Sequence, residues 1–113
     1  MPFINTKTTL SLSQEKKDIL TKELSQITKQ CLGKGENWIM LGYEDQVDLA
    51  FLGSTTDIAY VEVKLYGTPQ ASACDQMTAQ VCDLFEKELN IPTNRIYVSY
   101  YPTTQWGWNG GNF

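Results

Sequence analysis

Apolar residues recur along this chain in a helical rhythm in each half. Leu20, Leu24, Ile27 and Cys31 follow one another at steps of four, three and four. Met77, Val81, Leu84 and Glu88 repeat the same steps, with Phe85 and Leu89 supplying the apolar stripe beside them. Such spacing places side chains on one face of a helix. Ser13 reads as the cap of the first helix and Gly33 as its stop. Thr68 and Pro69 read as the cap and first turn of the second, with Asn90 and Pro92 beyond its end. Shorter stretches alternate instead. "PFINTK" at 2–7 aligns with "AYVEVK" at 59–64, and "NWIMLGY" at 37–43 aligns with "NRIYVSY" at 94–100, both at an offset of 57 residues. The chain therefore repeats a strand–helix–strand pattern, over 2–45 and again over 59–102.

Two parallel strands joined by a helix form a right-handed crossover. Two such units side by side predict an α+β fold: two pseudo-repeated β-α-β units forming a four-stranded sheet, with both helices on one face. Ile39, Leu41, Ile96, Val98, Val61 and Val63 alternate toward the helices. The opposite face carries Phe3, Tyr60, Trp38, Met40, Tyr97 and Tyr101 among Asn5, Glu62, Lys64 and Ser99. That face is too aromatic to leave bare and too polar for a dry core, which predicts a closed ring of subunits with sheets facing inward. The end, "TTQWGWNGGNF", is unusual because chain termini commonly carry small polar groups. Trp106 and Trp108 predict that the tail docks, either on a neighbouring subunit's sheet edge or back on its own domain.

Composition narrows the partners. The chain has 113 residues, 42% of them hydrophobic, which suits one domain spanning 1–113. Net charge is −4 with scattered lysines, which argues against nucleic acid. No apolar run approaches the roughly 20 residues that cross a bilayer, and no signal peptide is visible. The three cysteines, Cys31, Cys74 and Cys82, show no C-x-x-C or metal spacing and read as buried thiols in a reducing compartment. Neither a metal nor another cofactor is expected.

The chain has no histidine, so a histidine-based triad is excluded. Acid–base chemistry near neutral pH then falls to a perturbed Lys, Cys or carboxylate, or to the terminal amine. Pro2 bears on that choice. Proline suits the first position of a strand because it has no N–H to donate. Removal of Met1 would also turn its ring nitrogen into a basic secondary amine.

The initial "MP", Gly33-Lys34 before a strand, "AFLGSTTDIAYVEVKLYG" at 50–67, "NRIYVSYY" at 94–101 and "WGWNGGNF" at 106–113 run in an order that resembles the macrophage migration inhibitory factor family of the tautomerase superfamily. The resemblance implies a homotrimer with active sites between subunits and a short C-terminal strand, with 103–113 as an inter-subunit tail. It implies Pro2 as the catalytic acid–base and Lys34, Tyr66, Tyr97, Ser99, Trp106 and Trp108 as substrate-binding residues, Tyr97 coming from the adjacent subunit. Tyr66 and Ser99 stand where better-known members carry an aliphatic residue and an amide. Ile58 to Val61 replace the C-x-x-C of some members, so the resemblance supports no thiol-redox role.

The implied reaction is a keto–enol proton shift on a small aromatic α-keto acid such as phenylpyruvate, or on a dopachrome-like substrate. Burial and Lys34 would lower the pKa of the amine, and Lys34 would also pair with the substrate carboxylate. Ser99 or a backbone donor would steady the enolate oxygen. The alternative that the resemblance implies is a cytokine-like trimer that engages a receptor protein, with tautomerase activity incidental or absent. The expected location is cytoplasmic, or outside the cell after export without a leader.

Overall fold

The computed structural model describes all residues from Met1 to Phe113. Strand β1 (Pro2–Thr8) leads to helix α1 (Gln14–Leu32), and strand β2 (Met40–Glu44) follows. Strand β3 (Ala59–Tyr66), helix α2 (Ala71–Leu89) and strand β4 (Ile96–Thr103) repeat that order. Two short strands, β5 (Gly107–Trp108) and β6 (Gly111–Asn112), end the chain as a hairpin. The sheet order is β2-β1-β3-β4. β1 pairs parallel with β2, β3 pairs parallel with β4, and β1 and β3 join the units antiparallel.

The offset of 57 residues survives in three dimensions. Both helices have 19 residues, and each is followed by a 3₁₀ turn, at Glu36–Trp38 and Thr93–Arg95. Each helix ends on a left-handed residue, Gly33 at φ 67° and Asn90 at φ 56°. Glycine and asparagine are the residues that take this conformation at least cost. The Tyr43 hydroxyl lies 2.8 Å from Thr21 Oγ1, and the Tyr100 hydroxyl 2.8 Å from Thr78 Oγ1, so each unit ties its second strand to its helix at matching positions.

The core lies between the helices and one face of the sheet. Ile4, Val61, Val63 and Leu65 from the strands meet Leu20, Leu24, Met77, Val81 and Phe85 from the helices, all essentially inaccessible to water. Full burial of each such side chain is worth about 1.5–3 kcal/mol. Alternation is clear along β3, which buries Val63 and exposes Lys64, and at the start of β4, which buries Ile96 and exposes Tyr97.

On the open face Met40 is 66% exposed and Tyr97 60%. Asn5 is buried there nonetheless, because its Nδ2 donates to Glu44 Oε2 at 2.6 Å and to Glu62 Oε1 at 3.3 Å. A Cβ at Gly42 would come 2.8 Å from Asn5 Oδ1, so this network requires glycine beside it.

Two expectations are corrected. Trp38 lies in the 3₁₀ turn before β2 rather than on the sheet, because the chain leaving Gly33 needs one more turn before it can extend. Helix α2 is capped by Gln70, without a side-chain bond, and not by Thr68 and Pro69. The Gln70 carbonyl accepts from Ala73 N–H and Cys74 N–H, so backbone alone starts the helix. Ser13 does cap α1, its hydroxyl accepting from Lys16 N–H at 3.1 Å. No helix is long and apolar enough to cross a membrane.

Candidate active site

Pro2 opens β1, is buried, and stands in register with Leu65 of β3. Its missing N–H costs nothing at this first strand position. Met1 continues past it, and its carbonyl accepts the Tyr66 N–H at 3.3 Å. The Met1 amine is pushed below its ordinary value of 8.0, first by burial and then by the charge of Lys34. Both effects disfavour the ammonium form.

Lys34 reaches this spot because of Gly33. The left-handed cap ends α1 with its N–H on the Lys29 carbonyl at 3.0 Å and redirects the chain toward the end of the sheet. Lys34 Nζ then donates to the Tyr66 carbonyl at 2.9 Å. Gly67 follows at φ 103°, a backbone angle that residues with a side chain rarely adopt, and its N–H bonds the Thr103 carbonyl at 2.9 Å.

The tail completes this end of the molecule. Asn109 at φ 52° and Gly110 at φ 85° turn the β5–β6 hairpin, the pairing of residues that such tight turns favour. The Trp106 carbonyl accepts the Phe113 N–H at 3.1 Å. Trp108 meets Trp38 edge to face, with ring centroids 4.9 Å apart, and Phe113 meets Tyr66 the same way at 5.4 Å. These contacts fold the tail back onto its own chain, against Trp38 and Tyr66.

Tyr97 and Ser99 lie elsewhere. Tyr97 pairs with Tyr60, and Tyr60 with Lys7, five residues along β1 from Pro2. At about 3.4 Å per residue that is about 17 Å. Ser99 lies on the open face, 2.8 Å from the Tyr60 hydroxyl and 3.1 Å from the Tyr101 hydroxyl, and those two phenols are 2.6 Å apart. The bonds from Ser99 and then Tyr60 lower the pKa of Tyr101. One chain thus brings Lys34 and Tyr66 to the Met1–Pro2 end of β1, sets Trp108 against Trp38 and ties Trp106 to Phe113, and keeps Tyr97 apart from that end.

Comparison with known proteins decides the family. The family model described as macrophage migration inhibitory factor matches residues 1–113. The chain belongs to the macrophage migration inhibitory factor family. A macrophage migration inhibitory factor of Xenopus laevis is 32% identical over 96 residues, covering 83% of this chain and 80% of the frog protein. The crystal structure of Leishmania major MIF2 superposes with a TM-score of 0.95 at 39% identity, over 100% of this chain and 97% of that one. A macrophage migration inhibitory factor homologue from Prochlorococcus marinus gives a TM-score of 0.87 at 34% identity, over 98% of each chain.

Two aromatic residues in contact with candidate site residues have no signal in the sequence pattern. Phe113 was hidden by its place at the end of the chain, where its contact with Tyr66 has no periodic signature. Trp38 read as a strand residue because it directly precedes the alternating run of β2. No group of three or more Cys, Asp or Glu side chains converges to hold a metal ion.

Proposed function

We propose that this family member is a keto–enol tautomerase whose base is the Pro2 nitrogen, freed by removal of Met1. The observation that carries the reading is that the chain terminus at Pro2 lies partly buried beside Lys34, where the pKa of the Met1 amine is lowered by burial and by that lysine. Pro2 is more deeply buried than Met1, so desolvation acts on its nitrogen in the same direction. A base whose pKa lies near the working pH serves proton transfer best.

The substrate class is a small aromatic α-keto acid such as phenylpyruvate. Lys34 pairs with the carboxylate, and Tyr66, Trp106 and Trp108 border the ring. The neutral Pro2 nitrogen takes a proton from the carbon next to the carbonyl. The C–H electron pair becomes the new C=C bond, the carbonyl π pair moves to oxygen, and the proton carried by Pro2 is delivered there to give the enol. Tyr97 and Ser99 reach the pocket from an adjacent subunit of a homotrimer. Support for that assembly comes from the exposed, aromatic open face and from the distance of Tyr97 from Pro2 within one chain.

Intact mass and phenylpyruvate turnover of the processed protein test this reading together. Loss of one methionine with turnover that falls sharply in Pro2→Gly is expected. Full-rate exchange in Pro2→Gly removes Pro2 as the base.

A second reading follows from the relatives' names, which describe an inhibitor of cell migration rather than an enzyme. In it the protein is a cytokine-like ligand for a receptor, and retained Met1 keeps the Pro2 nitrogen as an amide. An intact mass that includes Met1, with no turnover, favours it.

A further inference from the structure

The segment between β2 and β3 has an anchor that the proposed chemistry does not use. Phe51 and Ser54 exchange two backbone hydrogen bonds, Phe51 N–H to Ser54 O at 2.9 Å and Ser54 N–H to Phe51 O at 3.1 Å. The turn between them holds Leu52 at φ 51° and Gly53 at φ 75°. Left-handed leucine is unfavourable, so something outside the turn must hold it.

Arg95 does so. Its Nη1 donates to the Phe51 carbonyl at 3.1 Å, its Nη2 to the Ser54 carbonyl at 3.1 Å and its Nε to the Thr56 carbonyl at 2.9 Å. Three parallel demands on one planar fork can be met by guanidinium and not by the point charge of lysine. Arg95 makes no ion pair, so its hydrogen bonding is directed to the turn's carbonyls.

The turn in its place sets a ring. Phe51 packs against Tyr97 with centroids 4.8 Å apart at 56°, and the Arg95 guanidinium carbon lies 5.7 Å from the centre of the Phe51 ring. Tyr97 is otherwise 60% exposed, so Phe51 is the backing that gives it a defined attitude. Arg95 ends the 3₁₀ turn that leads into β4, two residues before Tyr97, and grips the turn behind that ring.

We propose that Arg95 is a positioning residue for the substrate pocket, acting through the Phe51–Ser54 turn to orient Tyr97. The inference rests on the reading above, in which Tyr97 lines a neighbouring subunit's pocket. Because Tyr97 walls the pocket without touching the transferred proton, loosening it raises KM and spares kcat.

The test uses the processed full-length protein with labelled Phe and Tyr rings. Arg95→Lys is expected to abolish the nuclear Overhauser contact between Phe51 and Tyr97 and to raise KM for phenylpyruvate about tenfold, with kcat within about twofold. Phe51→Ala is expected to match that KM, and the double variant to be no worse than Phe51→Ala alone, since the two residues act in series. If Arg95→Lys does not fold, Phe51→Leu, which keeps the arginine, must raise KM in the same way.

An intact ring contact in Arg95→Lys overturns the proposal, and so do KM effects that multiply in the double variant. A lost contact with wild-type KM overturns the link to the pocket. Tyr97→Ala then separates the causes: wild-type KM there places the failure in the proposed pocket, and a raised KM places it in the Arg95 connection.

Discussion

Lys34 donates its ammonium to the Tyr66 carbonyl across 2.9 Å, tying the loop that leaves α1 to the last residue of β3. A carbonyl is a partner that a substrate carboxylate can displace, because a charged acceptor binds ammonium more strongly than a neutral one. The cation is thus held at the site without being neutralised.

Lys34→Met keeps an unbranched side chain, one atom shorter, and removes the charge. The expected result is a rise in KM for phenylpyruvate of about tenfold or more, matching the roughly 1.5–3 kcal/mol of a hydrogen bond to a charged group. Steady-state kinetics on the processed protein measure it. An unchanged KM would remove Lys34 from substrate binding.

The terminal amine predicts a pH profile. Burial first and Lys34 second lower its pKa below 8.0, so the folded state binds fewer protons than the unfolded chain between the two values. Its contribution to stability is therefore full above 8.0 and is lost as pH falls through the lowered folded value. In the processed protein the Pro2 amine takes the place of the Met1 amine beside the same lysine, so the acidic limb of kcat/KM should lie below the usual amine range, and Lys34→Met should move it upward. A limb at or above 8.0 in the parent protein contradicts the assignment.

The tail rings predict a local effect. Phe113→Ala removes the edge contact with Tyr66, an interaction worth about 0.5–1.5 kcal/mol beyond its buried area. Weaker binding of aromatic keto acids is expected, with little loss for pyruvate, which has no ring. Equal losses for both substrates would place Phe113 outside the ring's surroundings.

Tyr100 predicts alkaline behaviour. Its hydroxyl donates to the Cys74 carbonyl at 2.9 Å, and burial pushes its pKa up to about 12. The folded state keeps this proton after the unfolded chain has lost it. The stability it contributes is full below about 10, the ordinary tyrosine value, and is lost as pH rises through about 12. Tyr100→Phe should cost about 1 kcal/mol at neutral pH and flatten the fall in thermal stability above pH 10. Calorimetry across that range checks both.

Much of the fold was legible because it is written in local rhythm. The steps Leu20, Leu24, Ile27 and Met77, Val81, Leu84 mark buried helix faces, and all six are buried. Gly33 and Asn90 mark helix ends because few residues accept a left-handed angle. The start of α2 was misread because Thr68 and Pro69 carry capping chemistry, whereas Gln70 begins the helix through its carbonyl alone. Of the candidate site, Pro2 stood out by residue type and Lys34 through the family resemblance, but Trp38 and Phe113 did not.

Periodicity and cap chemistry in the sequence determined two β-α-β units, their helix-facing residues and the open aromatic face, because each depends on neighbours within a few positions. Tertiary structure decided which distant residues meet. Lys34 reaches Tyr66, Trp108 covers Trp38, Phe113 covers Tyr66, and the Arg95 fork finds three carbonyls some forty residues upstream. Those meetings follow from sheet register and chain reversal at Gly33 and Gly67, which bring together segments that no one-dimensional pattern links.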